Sequence, residues 1–150
     1  MKQNFWQGVV LLTAALLIAA CSGIPRRDRD KEALEQYLQY AGPPVDHIST
    51  FNHYNGWQAV GYYQVVLWSG VDDAYLVTVS APCENLQFAN RIGVTQTSDS
   101  IYTKFDALLV HGWRCNITEI RPINYLQMRQ DQREQRALEK ARAKAPDKDG

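Results

Sequence analysis

The sequence predicts an α+β fold, in which an N-terminal helix packs on a small antiparallel sheet of five to seven strands, open or curled into a partial barrel. Three observations predict it: one apolar stripe at helical spacing, a run of short strand-like segments between turn residues, and a polar C-terminal segment rich in helix formers. The chain has 150 residues, which allows one globular unit with a core. Sixteen Lys and Arg residues balance sixteen Asp and Glu residues, so no positive excess points to nucleic acid.

Residues 1–20 predict an export signal that is removed from the mature protein. Lys2 lies in a short polar start, and the apolar run from Val9 to Ala20 is twelve residues long. A membrane-spanning helix needs about twenty residues, so this run is too short to cross a bilayer. A positive start, a short apolar run and small residues at the end are typical of a signal peptide.

The end of this segment, Ile18-Ala19-Ala20-Cys21, resembles the lipobox of bacterial lipoproteins. The resemblance implies that a diacylglyceryl group is attached to the Cys21 thiol, that the chain is cleaved before Cys21, and that the new amino terminus is acylated, with palmitate among the acyl chains. Two or three chains anchor a protein stably, whereas one gives marginal membrane binding. Ser22 stands where an Asp would imply inner-membrane retention, which implies the outer membrane and a domain facing the periplasm. The alternative is an incidental cysteine beside an ordinary signal peptide.

The rest of the chain divides into a lipidated tether over 21–29, a single globular domain over 30–124 and a polar tail over 125–150. The tether has no apolar period and holds three arginines, which is typical of a solvated linker. A helix is expected over about 30–41, ended by Gly42-Pro43-Pro44. Its apolar stripe consists of Ala33, Leu34, Tyr37, Leu38 and Ala41.

A meander of three strands is expected after this helix. Residues 48–54 are β-branched and aromatic, and Asn55-Gly56 then predicts a two-residue hairpin because both residues accept a positive φ. The second strand is expected over 57–68, with Gly61 at a bulge or bend. The third strand is expected over 75–79. One of its faces holds Tyr75, Val77 and Val79.

A short helix is expected after Cys83, because Pro82 fits a first helical turn and Glu84 favours the positive helix start. Gly93 ends it, and its inward residues are Leu86, Ala89 and Ile92. Further strands are expected over 94–97, 101–105, 107–110 and 114–121, with turns at Ser98-Asp99-Ser100 and His111-Gly112 and an end at Pro122.

The tail is expected to form a solvated helix over 124–145. Residues 129–136 include no apolar residue, and only a thin stripe follows, made of Ala137, Leu138 and Ala141. The alternative is a helix that contacts a partner or peptidoglycan.

The three cysteines are explained by one lipid anchor and one pair. With Cys21 lipidated, Cys83 and Cys115 remain, and export places them where disulfides form and persist. Closing a segment of about 32 residues would stabilise the fold by about 3 to 4 kcal/mol. The alternative, a reactive thiol pair, would normally show close spacing such as Cys-x-x-Cys, which does not occur.

The sequence contains no catalytic, metal or cofactor motif, so a non-enzymatic protein without a cofactor is expected. His47, His53 and His111 are scattered, with no spacing typical of metal ligands. Asp72-Asp73 is more typical of a turn between strands than of a carboxylate pair that binds a metal ion. No nucleophile elbow and no phosphate-binding glycine loop occurs.

Aromatic residues are the remaining functional signal. Adjacent Tyr62 and Tyr63 would point to opposite faces of a strand, so at least one faces away from the core. An exposed aromatic row could bind a glycan or a partner strand, and core filling is the alternative. The candidate binding surface consists of Trp57, Tyr62, Tyr63, Trp68, Tyr75 and Trp113.

Three segments together resemble a family of small uncharacterised Gram-negative envelope proteins, often lipoproteins. The segments are Tyr75-Leu76-Val77-x-Val79-x-x-Pro82-Cys83-x-x-Leu86-x-x-Ala89-x-x-Ile92, Phe105-Asp106-x-Leu108-x-Val110 and Cys115-x-Ile117-x-x-Ile120. The resemblance covers about 48–123 and implies that Cys83 and Cys115 are paired. The C-terminal extension lies outside the pattern.

These observations together predict a non-enzymatic outer-membrane lipoprotein that is either a small binding module or a structural module of the envelope. An envelope protein or a glycan is the candidate partner. One alternative is an inhibitor of an enzyme such as lysozyme, since Ser69-Gly70 and Tyr75 are similar in spacing to the inhibitory loop of lysozyme-inhibitor lipoproteins. The Trp-Lys-Gly segment of those inhibitors is absent here. Another alternative is a small periplasmic hydrolase using Asp106 and a histidine.

Overall fold

A computed structural model describes residues 26–49 and 54–144. The predicted signal segment, Cys21, residues 22–25 of the tether, His53 and residues 145–150 lie outside these ranges. The described elements are α1 (Arg26–Gln39), β1 (His47–Ser49), β2 (Gly56–Ala59), β3 (Gln64–Trp68), β4 (Asp73–Val79), a 3₁₀ turn (Leu86–Phe88), β5 (Ile92–Val94), β6 (Ser100–Tyr102), β7 (Ala107–Val110), β8 (Trp113–Asn124) and α2 (Tyr125–Lys144).

The architecture is α+β, as the sequence predicts. Six antiparallel strands form one sheet in the order β2-β3-β4-β8-β7-β5, which curls into a half-barrel, and β1 and β6 pair separately. Strands from the two-stranded pair and from most of the large sheet meet in one apolar cluster. We call it the interior cluster: Ile48, Val65, Leu67, Val77, Val79, Cys83, Leu86, Ile92, Ile101, Leu108, Val110, Cys115, Ile117 and Ile120.

The opposite face of the sheet is covered by the two helices. Val65 and Leu67 of β3 face the interior cluster, whereas Val66 between them faces the helices, because successive strand residues point to opposite sides. The same alternation places Val77 and Val79 of β4 inside, as predicted. The helix-side cluster consists of Tyr37, Val60, Val66, Ala74, Leu76, Ile123 and Met128.

Strand β8 is longer than predicted because it passes through Pro122. The Pro122 carbonyl accepts the Gly42 N–H at 2.8 Å, on the side of β8 that faces away from β4. In an antiparallel strand the N–H and C=O of one residue point to the same side, so the missing N–H of proline removes no bond to β4. A register shift opposite Thr78 and Val79 inserts one extra residue into β8. This bulge lets Ile117 and Ile120 both face the interior.

The predicted hairpin at Asn55-Gly56 is wrong. Strand β1 pairs with β6, from Ser49 against Ser100 to His47 against Tyr102, and not with β2. The Asn55 N–H donates to the Trp68 carbonyl, so Asn55 and Gly56 already lie opposite the end of β3. The chain reverses direction later, between β2 and β3.

The helix predicted after Cys83 is reduced to one 3₁₀ turn. Asn85 has a left-handed backbone, with φ 64°, which interrupts a continuous helix from Pro82. Ile92 and Gly93, expected at the end of that helix, belong to β5 and pair with β7. Leu86 is buried inward as predicted.

The two turns predicted further along are confirmed. Ser98 and Asp99 both have positive φ, and Thr97 and Ser100 exchange backbone hydrogen bonds around them. His111 and Gly112 likewise have φ 49° and 87° between β7 and β8. Positive φ at both central positions suits the right-handed twist of the flanking strands.

The helices differ from expectation mainly at their ends. Helix α1 begins at Arg26, four residues before the predicted start, so the end of the predicted tether is helical. Its residue Leu38 is exposed, although Tyr37 is buried as expected. Helix α2 matches the predicted range, and the one residue it buries is Met128. Beyond residue 132 every described side chain of α2 is exposed, which agrees with a solvated helix.

Candidate binding site

The six aromatic residues of the predicted binding surface fall into three groups. Tyr62, Tyr63 and Trp113 are exposed, at 56%, 37% and 72% of their surface. The half-buried rings of Trp57 and Tyr75 pack against the interior cluster. For these two residues the contacts agree with the core-filling alternative.

Trp68 belongs to the contact between the sheet and α2. Its ring meets Tyr125 edge-on, with centroids 5.9 Å apart. The Arg129 guanidinium lies 5.9 Å from the Tyr125 centroid and forms an ion pair with Asp72 at 2.7 Å. These contacts hold the first turns of α2 on the β3–β4 hairpin, so Trp68 has a structural role.

Tyr62 and Tyr63 lie in the turn between β2 and β3 rather than on a strand, so the premise of opposite strand faces is wrong. Both rings are nevertheless exposed. The turn is fixed from both sides: the Val60 N–H donates to the Gln64 carbonyl at 3.0 Å, and the Tyr63 carbonyl accepts the Val79 N–H at 2.9 Å. The second bond places the two tyrosines beside the end of β4.

A groove of about 360 Å³ lies between this turn and the segment that follows β4. We call residues 80–91 the disulfide loop and this space the aromatic groove. Its lining is Tyr62, Tyr63, Pro82, Cys83, Glu84, Asn85, Leu86, Gln87 and Phe88. Phe88 is 59% exposed and was not singled out in the sequence, because an isolated aromatic residue in a predicted helix carries no signal of its own. Aromatic walls with a few polar groups are the usual composition of a ligand site.

The disulfide loop is held rigidly where it lines the groove. The predicted bond between Cys83 and Cys115 is confirmed, with 32 residues between its ends and a Cα–Cα distance of 5.5 Å. Leu86 anchors the 3₁₀ turn in the interior cluster. The Ser80 N–H donates to the Asn116 carbonyl at 2.8 Å, which ties the start of the loop to β8. A site whose backbone is fixed in advance loses little entropy when a ligand binds.

A smaller groove of about 120 Å³ continues on the other side of the loop. It is lined by Pro82, Glu84, Trp113 and Arg114, and therefore shares Pro82 and Glu84 with the aromatic groove. Exposed rings thus lie on both sides of the same short segment. An extended ligand that crosses Pro82 and Glu84 would contact both sets of rings.

Among the described residues that line the aromatic groove, Glu84 is the only charged one. Arg114, the charged residue across the loop, is engaged elsewhere: its guanidinium donates to the Phe105 carbonyl at 2.9 Å and to Asn116 Oδ1 at 3.3 Å. The aromatic groove therefore has a negative lining.

Asp106, the candidate acid of a hydrolase, is buried, and its carboxylate accepts hydrogen bonds from the segments that lead into β7. Its carboxylate accepts the Thr95 hydroxyl at 2.7 Å and the Tyr102 N–H at 2.8 Å. Thr95 Oγ1 in turn accepts the Ala107 N–H at 2.9 Å. This network fixes the entry to β7, which is a structural role.

The two described histidines, His47 and His111, do not join Asp106. His47 stacks on Tyr102, with ring centroids 5.1 Å apart, and His111 is exposed in the β7–β8 turn. Within residues 26–49 and 54–144, no group of three or more His, Cys, Asp or Glu side chains converges in a way that could hold a metal ion. Among the described helices none is long and apolar enough to cross a membrane.

A second groove, of about 510 Å³, lies beside β1 and includes His47, Ser69, Asp73 and Tyr75. Tyr75 is half-buried against the interior cluster, so its ring is not free to insert into a partner. We call this space the β1 groove. It is larger than the aromatic groove, but its described lining offers no exposed Phe, Tyr or Trp ring.

The fold and the groove define a small α+β domain built on a half-barrel crosslinked by one disulfide. The chain belongs to a family of unknown function (DUF6491), whose model matches residues 1–142. The expected resemblance to a family of unknown function is thereby confirmed. The match also includes most of α2, so the expectation that the C-terminal segment lies outside the family pattern is wrong. Comparisons with curated proteins and with solved structures found no match.

Proposed function

We propose that this protein is a lipid-anchored envelope lipoprotein without enzymatic activity, and that its domain binds an envelope glycan through the aromatic groove. The observation that carries the binding proposal is the convergence of Tyr62, Tyr63 and Phe88 on one groove beside a crosslinked loop. Tyrosine rings present an apolar face together with a polar hydroxyl, which suits a ligand with C–H faces and hydroxyl edges, such as a sugar chain.

The anchoring part of the proposal is supported by the lipobox-like end of the export signal at Cys21. The non-enzymatic part is supported by the Asp106 carboxylate, which both neighbouring donors already occupy. The family match supports neither part, because the family has no assigned function.

Binding is tested by co-sedimentation with insoluble peptidoglycan sacculi, using the mature-length chain with Cys21→Ser. We expect wild-type protein to co-sediment and the Tyr62→Ala/Tyr63→Ala variant to lose about tenfold or more in affinity, because exposed aromatic anchors dominate such sites. Phe105→Ala is the matched control, since Phe105 is 76% exposed and lines neither the aromatic groove nor its continuation. Equal loss in both variants, or no co-sedimentation of wild type, would refute the binding proposal.

Anchoring is tested separately by expressing the full chain and its Cys21→Ser variant in a Gram-negative host and fractionating the cells. We expect the wild type in the outer membrane, with the mass of a triacylated chain that starts at Cys21, and the variant in the soluble fraction. A wild-type chain that retains Met1 would contradict the anchor.

The lysozyme-inhibitor alternative stays a prediction. It is checked by titrating lysozyme with the mature-length chain, and unchanged lysozyme activity at an excess of the chain discards it.

A further inference from the structure

The aromatic groove combines exposed rings with a single carboxylate, and this combination indicates the charge of the ligand. Tyr62 and Tyr63 form one wall, and Phe88 lies on the disulfide loop together with Glu84. Ring faces carry partial negative charge and attract cations, most strongly where a carboxylate adds to the same field.

Glu84 forms no ion pair with Arg114, the described basic residue that lines the smaller groove with it. Arg114 shares the smaller groove with Glu84, but its guanidinium is directed to Phe105 and Asn116. Of the two ion pairs found within the described part of the chain, neither includes Glu84. A ligand that enters the groove therefore meets, beside exposed aromatic rings, a carboxylate that belongs to neither of these ion pairs.

We infer that the ligand is a cationic glycan, that is, a sugar chain bearing free amino groups, with an ammonium group seated between Glu84 and the tyrosine rings. This inference rests on the proposed function, because it names the class of glycan that the aromatic groove takes. A neutral N-acetylated sugar would stack on the same rings without the charge contact, and an acidic sugar would be repelled by Glu84. The geometry thus favours the free amine over both.

The two classes of sugar are compared with a matched pair of probes. Glucosamine oligomers and N-acetylglucosamine oligomers of the same length and linkage differ in the amine alone. Each is titrated calorimetrically into the mature-length chain with Cys21→Ser at about pH 5.5, where the sugar amines are protonated. We expect the free-amine oligomer to bind about tenfold more tightly, the size of one cation–π contact supplemented by a surface ion pair.

The Glu84→Gln variant keeps the shape of the side chain and removes its charge. We expect it to lose the preference for the free amine, whereas Glu134→Gln, on the exposed part of α2, keeps it. The preference should also fall as salt is raised, because exposed charges are screened.

The outcomes separate this inference from the proposed function. Equal binding of the two oligomers, or tighter binding of the acetylated one, overturns the cationic inference and leaves glycan binding intact. Binding of neither oligomer, together with binding of a lysine tetrapeptide at the same site, overturns both and identifies the ligand as a cationic peptide. Binding of none of the three overturns the cationic inference, and co-sedimentation with sacculi then decides whether the domain binds a glycan.

Discussion

Removal of the disulfide, by Cys83→Ala together with Cys115→Ala, is expected to destabilise the domain by about 4 to 5 kcal/mol. The bond closes a segment of 32 residues. In the chain-entropy model this length corresponds to about 3.7 kcal/mol, between about 3 for a 15-residue loop and about 4.7 for a 100-residue loop. Both sulfur atoms lie in the interior cluster, so their loss also leaves a small void that costs about 1 kcal/mol.

The assay is urea unfolding of the mature-length chain, followed by the fluorescence of Trp57 and Trp68, which are half-buried on opposite faces of the sheet. Small domains are typically stable by about 5 to 15 kcal/mol, so the variant should unfold at much lower urea or be largely unfolded without it. Wild-type protein in reductant gives a second measurement that does not depend on folding of the variant. Val71→Ala, at a strongly exposed position, is the control.

A loss below about 1 kcal/mol in both measurements would refute the reasoning, because it would mean that the crosslink constrains the unfolded chain far less than its length requires. If the protein stays folded without the bond, its affinity for sacculi should still fall. Cys83 lies in the lining of the aromatic groove, and an unpinned disulfide loop must be ordered when ligand binds.

Three further predictions concern single residues, each measured by urea unfolding. Asp106→Ala should destabilise the domain by about 2 to 4 kcal/mol, since it leaves two partly buried donors without their acceptor, and a change within about 0.5 kcal/mol would argue against its structural role. Gly112→Ala should lower the free energy of unfolding by about 1 kcal/mol, because residue 112 has a positive φ. Gly56→Ala should change it by no more than about 0.5 kcal/mol. A larger loss at Gly56 would support the predicted Asn55-Gly56 hairpin, which the structure does not contain. Burial raises the pKa of Tyr37, and the neighbouring Tyr125 raises it further by a smaller amount. The stability that this raised pKa contributes is therefore fully present below about pH 10 and is lost as the pH rises through the raised pKa. Tyr37→Phe should therefore flatten the fall of stability with pH above about pH 10, while Tyr62→Phe should not, and equal slopes in the two variants would contradict this.

The parts of the fold that depend on local chemistry could be predicted from the sequence. Alternation in 75–79 identifies the inward face of β4, because the side-chain period of a strand is fixed. The two-residue turn at His111-Gly112 needs a positive φ that Gly supplies at little cost. The disulfide could be predicted from the export signal that the sequence indicates and from the cysteine count.

The errors arise where distant segments decide the outcome. Asn55-Gly56 has the local chemistry of a hairpin, but the pairing of β1 with β6 removes the partner strand it would need. Pro122 predicts the end of a strand. In β8, however, the backbone N and carbonyl of Pro122 are on the side away from β4, so the missing N–H removes no bond between the two strands. A local pattern cannot reveal either fact, because both depend on which strand lies on which side.

The aromatic groove could be predicted only in part for the same reason. Tyr62 and Tyr63 stand out in the sequence, but their neighbours in the disulfide loop are about twenty residues away along the chain. Strand β4 brings the two together, through the bond from the Val79 N–H to the Tyr63 carbonyl. Phe88 and Asn85 become part of a site only after that pairing exists.

The central claim is that the aromatic groove, and no other surface of the domain, binds the envelope ligand. The most direct test is a ¹H–¹⁵N correlation spectrum of the mature-length chain with Cys21→Ser, titrated with solubilised peptidoglycan fragments. We expect the perturbed amides to cluster at 62–63 and 83–88 and to extend to Trp113. Perturbations centred on the β1 groove, or on the exposed half of α2 from residue 133 to residue 144, would contradict the claim.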